Sequence, residues 1–115
     1  MGSWYVIVEY GQYGEREFLP RIAVDGDREA ALTAAEEQSR TRHVGIYDRE
    51  HAGRVVYRES PERWLVEVSH PGEWNKNSES YTVHTYFLRI SVAELEHVAE
   101  LRLPDPPRRG LLRRG

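Results

Sequence analysis

Hydrophobic and polar positions alternate with a period of two along most of this chain, and helical periodicity is confined to two short stretches. Trp4, Val6, Val8 and Tyr10 alternate with Tyr5, Ile7 and Glu9, which predicts a strand with two largely apolar faces. Such a strand belongs in the interior of a sheet. Gly11-Gln12-Tyr13-Gly14 supplies a turn, and Phe18–Val24 returns as the partner strand. Pro20 has no N–H to give to a ladder, so this partner is expected at an edge or with a bulge. Asp27 follows as the N-cap of an alanine-rich helix reaching about Ser39. Its small residues allow close approach to a sheet but bury little area each.

Two more hairpins follow in the pattern. His43–Asp48 and Arg54–Glu59 are predicted to pair across a polar loop, and Ser60-Pro61 punctuates the chain after them. Trp64–Ser69 and Tyr81–Ile90 make the third pair. In the latter strand Tyr81, Val83 and Phe87 share one face, while His84, Tyr86, Leu88 and Ile90 share the other, again an interior pattern. Ser91-Val92-Ala93-Glu94 reads as a capping box, with Ile90 and Leu95 at the staple positions. Val92, Leu95, Val98, Ala99 and Leu101 or Leu103 then form a stripe of helical period, so a second helix is predicted. Pro104-Asp105-Pro106-Pro107 ends it.

The element order is therefore ββα-ββ-ββα. It predicts an α+β fold, a mostly antiparallel sheet of about six strands with two helices on one face. A β-grasp-like core is the alternative. Residues 1–103 are read as one domain and 104–115 as a flexible tail rich in Pro and Arg. The Trp4-led and Trp64-led units, each two strands and a helix, align loosely as a pseudo-repeat.

Two helices cover only one face of such a sheet, yet its interior strands are apolar on both. Something must cover the second face, and a homodimer is the simplest cover. The aromatic inventory points the same way: three Trp and seven Tyr against two Phe, an excess of rings with a polar handle. The residues expected to meet a partner are Trp4, Tyr5, Trp64, His84, Tyr86 and Trp74. Trp74 stands in the polar stretch His70–Ser80, read as a long loop. There it is either a binding hot spot or a lid folded over a sheet edge.

Charge refines the choice of partner. The formal net charge is −3, but Pro104–Gly115 holds four arginines against one aspartate, so the tail carries +3 and the rest −6. An acidic body argues against a large nucleic-acid surface on the folded part and suits a basic protein partner. The absence of cysteine removes disulfides, thiolate catalysis and cysteine-ligated zinc. With no apolar run of membrane-spanning length and no signal-peptide pattern at the start, a cytoplasmic protein without a membrane partner is expected.

Catalytic and ligand motifs are sparse. The histidines at 43, 51, 70, 84 and 97 form no HxH or HExxH pattern, and Glu94 with His97 is a lone i, i+3 pair, so no metal and no cofactor are expected. Ser69 and His70 are adjacent on a strand and point to opposite faces, which spoils direct activation of the hydroxyl. There is no GxSxG elbow, Walker pattern or GxGxxG turn. His43, His84 and Glu67, and Glu67 paired with Glu59, are what a small enzyme or a ligand-binding His/Tyr pocket would use. Arg108, Arg109, Arg113 and Arg114 offer phosphate or acidic-surface contacts for a nucleic-acid-associated role, or let Leu111 and Leu112 dock on a neighbouring subunit. Binding outweighs catalysis in this sequence. It reads as a small protein-binding module of regulatory, inhibitor or immunity type, homodimeric, with the nucleic-acid and enzyme readings as alternatives.

Overall fold

The computed structural model describes residues 2–46 and 48–107. Arg108, Arg109, Arg113 and Arg114, with Leu111 and Leu112, lie outside the described residues. Among the described residues the architecture is α+β, a six-stranded antiparallel sheet with one helix. Its elements are β1 (Trp4–Gln12), β2 (Glu15–Phe18), β3 (Ile22–Val24), α1 (Arg28–Thr41), β4 (Gly53–Ser60), β5 (Arg63–Asn75) and β6 (Ser80–Glu94). Strands run in the order β2-β1-β6-β5-β4, with β3 on the same flank of β1 as β2. The β-grasp alternative is not formed, since β1 and β6 lie side by side and antiparallel.

The alternating strands behave as their pattern predicts. β1 and β6 are both interior, and β1 pairs with β6 from Trp4↔Glu94 to Gly11↔Phe87. Val6, Val8, Val66, Val68, Tyr86, Leu88 and Ile90 are almost completely buried on one face of the sheet, where Ala31 and Ala35 of α1 pack onto them. Asp27 caps α1 through its side chain, which accepts from the Ala30 N–H at 3.0 Å. Ala31, Ala35 and Ser39 make the buried stripe of the helix, small residues that let it sit directly on the strands. The partner strand of β1 is broken at Leu19-Pro20-Arg21 into β2 and β3, at the sheet edge where proline is tolerated.

Three expectations are corrected. The second helix does not form. Ser91–Glu94, read as a capping box, continue β6 and pair with Trp4–Ile7 of β1, and no residue from Leu95 to Pro107 lies in regular structure. The reason is competition: ending β6 at Ile90 would strip Trp4–Ile7 of their ladder partners, whereas a capping box satisfies only two backbone groups. The pseudo-repeat therefore holds for the two hairpins and fails at the helix.

The expected hairpin of residues 43–48 with 54–59 is also not formed among the described residues, which leave out Tyr47: β4 pairs with β5 across the tight Pro61-Glu62 turn. The expected long loop at 70–80 is shorter, since β5 and β6 run on to Asn75 and Ser80 and leave only Lys76–Glu79 to turn. Beyond Ser69 and Phe87 neither β4 nor β1 flanks them, so the two strands continue as a two-stranded arm. Pro71 fits there because only one side of β5 needs ladder partners. No helix is long and apolar enough to cross a membrane among the described residues.

Candidate functional site

With one helix in place of two, the sheet keeps a helix-free face, and the odd-numbered positions of β4, β5 and β6 point to it. Val55 and Tyr57 on β4 and Val83 and Phe87 on β6 are exposed large hydrophobic residues there. Phe18 joins them from β2, 71% exposed. Leu65, paired with Tyr57 and Arg89, and Glu67, paired with Val55 and Phe87, lie between them half-buried.

A bulge extends this face to the end of the arm. Pro71 pairs with Val83 and Trp74 with Tyr81, so β5 spends one more residue than β6 between the two pairs. That extra residue reverses the side-chain alternation, and Trp74, an even-numbered residue, joins Tyr81 on the helix-free face. Their rings meet edge to face, centroids 4.9 Å apart, and both stay more than half exposed. Gly72 makes the bulge possible. A Cβ there would lie 2.4 Å from Thr82 Oγ1 and 2.5 Å from His84 Nε2. Thr82 fastens the turn, its hydroxyl accepting from the Glu73 N–H at 2.9 Å.

A cluster of charge crosses the middle of the same face. Arg89 donates from Nε and Nη2 to the two carboxylate oxygens of Glu59 at 3.0 and 3.3 Å, and its Nη1 lies 3.9 Å from Glu9. The hydrogen bond from Arg89 holds the Glu59 carboxyl below its ordinary pKa. Glu59 is thus an ion-pair partner of Arg89, while Glu67, opposite Val55 and Phe87, stands elsewhere on the face. Next to this cluster, under the β1–β2 turn, a groove of about 410 Å³ is floored by Leu65, Phe87 and Gly11 and edged by Glu9, Arg16 and Arg89. A second cleft, about 580 Å³, is lined by Ser69, Pro71, Tyr81 and Val83 together with Asp48 and His51.

Comparison with family models, with curated proteins and with solved structures finds no match. The geometry alone therefore carries the functional reading.

The residues expected to meet a partner divide between the two faces. Trp74 is exposed. Tyr5 is half-buried on the helix-free side beneath the Arg21 guanidinium, 5.5 Å from its ring centroid. Trp4, Trp64, His84 and Tyr86 point to the helix side. Trp64 and Tyr86 are core residues, and Trp4 packs against that core. Phe87, Tyr57 and Val55 belong to the surface, with Gly72 behind it permitting the bulge, and none of the four was expected to meet a partner. The Phe87 alternation was legible, but the exposure of β4 depended on its pairing with β5.

The candidate chemistry is scattered. His70 and His84 are cross-strand neighbours with ring centroids 5.4 Å apart, and Tyr13 Oη stands 3.3 Å from His84 Nδ1. Beside them Tyr86 and Tyr10 pack at 5.3 Å, and burial raises the Tyr10 pKa, with Tyr86 adding to the effect. No carboxylate bonds to His70, His84 or His43 among the described residues. His43, off any strand, has its pKa lowered by burial first and by the Arg54 charge second.

His51 Nδ1 meets both Asp48 oxygens at 2.9 Å, which lowers the Asp48 pKa. Ser69 lines the same cleft but exchanges its hydroxyl bond with Thr85 at 3.1 Å, so no Ser–His bond completes a nucleophilic pair. Glu94 ends a strand and His97 follows in an irregular segment, which removes the helical spacing that made them a ligand pair. No group of three or more His, Cys, Asp or Glu is placed to hold a metal among the described residues.

Proposed function

We propose that the protein is a non-catalytic protein-binding module that self-associates through its helix-free sheet face. One observation carries the reading: Val55, Tyr57, Val83, Phe87, Tyr81 and Trp74 all project from a sheet face on which, among the described residues, no helix or further strand packs. A monomer with such a face leaves large apolar side chains in water, and a partner that covers it recovers roughly 25 cal/mol for each Å² of apolar surface buried. The exposed aromatic side chains of the face, Tyr57, Phe87, Tyr81 and Trp74, are of the types enriched at protein interfaces.

A homodimer is the simplest occupant, since one face is enough to make a self-complementary contact. The net −6 of the residues before Pro104 then suits a basic protein as a further partner, in a regulatory, inhibitory or immunity-type role. Site-specific photo-crosslinking tests the reading. A crosslinker at Tyr57 or Phe87 is expected to trap a second copy of the chain, while one at exposed Glu37 on α1 traps none. Equal yields from both faces would contradict it.

A further inference from the structure

The chain carries its own unpartnered apolar segment. After Glu94 it continues through Leu95–Leu103 without regular structure, and Leu95, Val98, Leu101 and Leu103 are all exposed. The only backbone bond tying the segment down among the described residues is from Leu95 N–H to Ser3 O, 2.8 Å, at its root. The radius of gyration is 20.5 Å, against roughly 13 Å for a compact chain of this size, so the molecule holds protruding parts.

The segment is aimed away from its own apolar groove. The groove lies at Phe87 and Gly11, and β6 has run seven residues past Phe87 when it ends at Glu94, about 23 Å at ~3.3 Å per residue. To return, the chain would have to reverse at once, yet Leu95–Leu103 contains no Gly, Pro, Asn, Asp or Ser to make a turn. A second copy removes the difficulty. In a face-to-face dimer whose two-fold axis lies across the strands, strand directions are reversed between copies. Where that axis passes midway between Phe87 and Glu94, the Glu94 end of one copy stands over the Phe87–Gly11 end of the other.

We propose that Leu95–Leu103 of each copy docks into the groove floored by Leu65, Phe87 and Gly11 on the helix-free face of a second copy, making a reciprocal strap. The inference rests on the self-association proposed above and names the element that secures it. The chemistry of the two sides agrees. Apolar Leu101 and Leu103 meet an apolar floor, while Glu96, Glu100 and Arg102 meet a rim of mixed charge, with Arg16 placed to take a strap glutamate and Glu9 and Glu15 to take Arg102. Gly11 keeps the groove open between the Phe87 and Arg16 positions that flank it in the ladder.

Sedimentation velocity on the full chain and two full-length variants tests this. Val98→Asp/Leu101→Asp/Leu103→Asp destroys the strap at exposed positions outside the core. Gly11→Gln fills the groove, where a Cβ meets only Glu15 O at 3.6 Å, an ordinary contact that leaves folding intact. Each variant alone is expected to self-associate at least about thirtyfold more weakly than the parent. Mixed at equal concentration, the two are expected to form a heterodimer through the one intact strap and one intact groove. Unchanged dimerisation of the strap variant overturns the strap and leaves the dimer standing. A parent chain that stays monomeric overturns both, and a mixture that gives no heterodimer overturns the pairing of strap with groove.

Discussion

The guanidinium of Arg54, on β4, reaches over the end of α1 and donates to the Ser39 carbonyl at 3.0 Å. Its second nitrogen donates to the Arg42 carbonyl one residue past the helix. A cation is thereby held at the negative end of the helix dipole, and carbonyls the helix cannot satisfy find donors. Arg54 is half-buried, so desolvation lowers its pKa, but the shift leaves an arginine charged at any ordinary pH. Arg54→Met keeps the aliphatic stem and removes the donors. Urea unfolding should show a loss of about 2 kcal/mol. A change within experimental error would mean that water replaces the guanidinium without cost.

Tyr86 holds the segment after the helix from the other side. Its hydroxyl accepts from the Val44 N–H at 2.9 Å, while its ring is buried in the core. Tyr86→Phe preserves the shape and orphans that N–H, so a loss of about 1–2 kcal/mol is expected by the same measurement. Hydrogen exchange at Val44 should accelerate in the variant before global unfolding does.

His43 makes stability depend on pH. Its folded-state pKa is lowered, by burial and then by the Arg54 charge, so the unfolded chain binds this proton more readily than the folded one. The contribution is complete above the unfolded value near 6.5 and is lost as pH falls through the folded one. Urea midpoints should therefore fall between pH 7.5 and pH 5.5. His43→Gln should flatten that window, leaving the Asp48 and Glu59 contributions, whose pKa values are lowered, to disappear at more acidic pH.

Gly72 is predicted to control which way Trp74 faces. A methyl group there collides with Thr82 and His84, and relieving the collision disturbs the bulge that places Trp74 beside Tyr81. Gly72→Ala should cost about 1–3 kcal/mol and quench the edge-to-face signal of the pair in near-ultraviolet circular dichroism. Trp74→Phe, which keeps an aromatic ring on an undisturbed backbone, should retain stability.

Much of the fold was legible in the sequence because period-two alternation reports burial directly. The two interior strands, the inward set Tyr86, Leu88 and Ile90, the Asp27 cap and the edge position of the strand pair around Pro20 all follow from residues acting locally, although the one strand expected over Phe18–Val24 is two. The errors came where a local signal competed with a distant one. Ser91–Glu94 carry a sound capping box, but their fate was decided by Trp4–Ile7, which lie almost ninety residues earlier. Pro71, Gly72 and Asn75 look like loop chemistry, yet they sit in an arm where one flank is open and a bulge is tolerated.

The candidate surface was legible in principle and missed in detail. The sequence required a cover for the second face and named Trp74. It did not show that a bulge joins Trp74 to Phe87 and Tyr57, or that Trp64 and Tyr86 lie on the covered side.

The central claim is that the helix-free face is a self-association surface, and sedimentation velocity across a concentration series tests it most directly. The full chain should sediment at twice its 13.4 kDa mass, and Phe87→Asp, which puts a charge at a half-exposed point of the face, should sediment at 13.4 kDa. A full chain that remains at 13.4 kDa at the highest concentration reached, or a Phe87→Asp variant that dimerises as the parent does, would contradict the account.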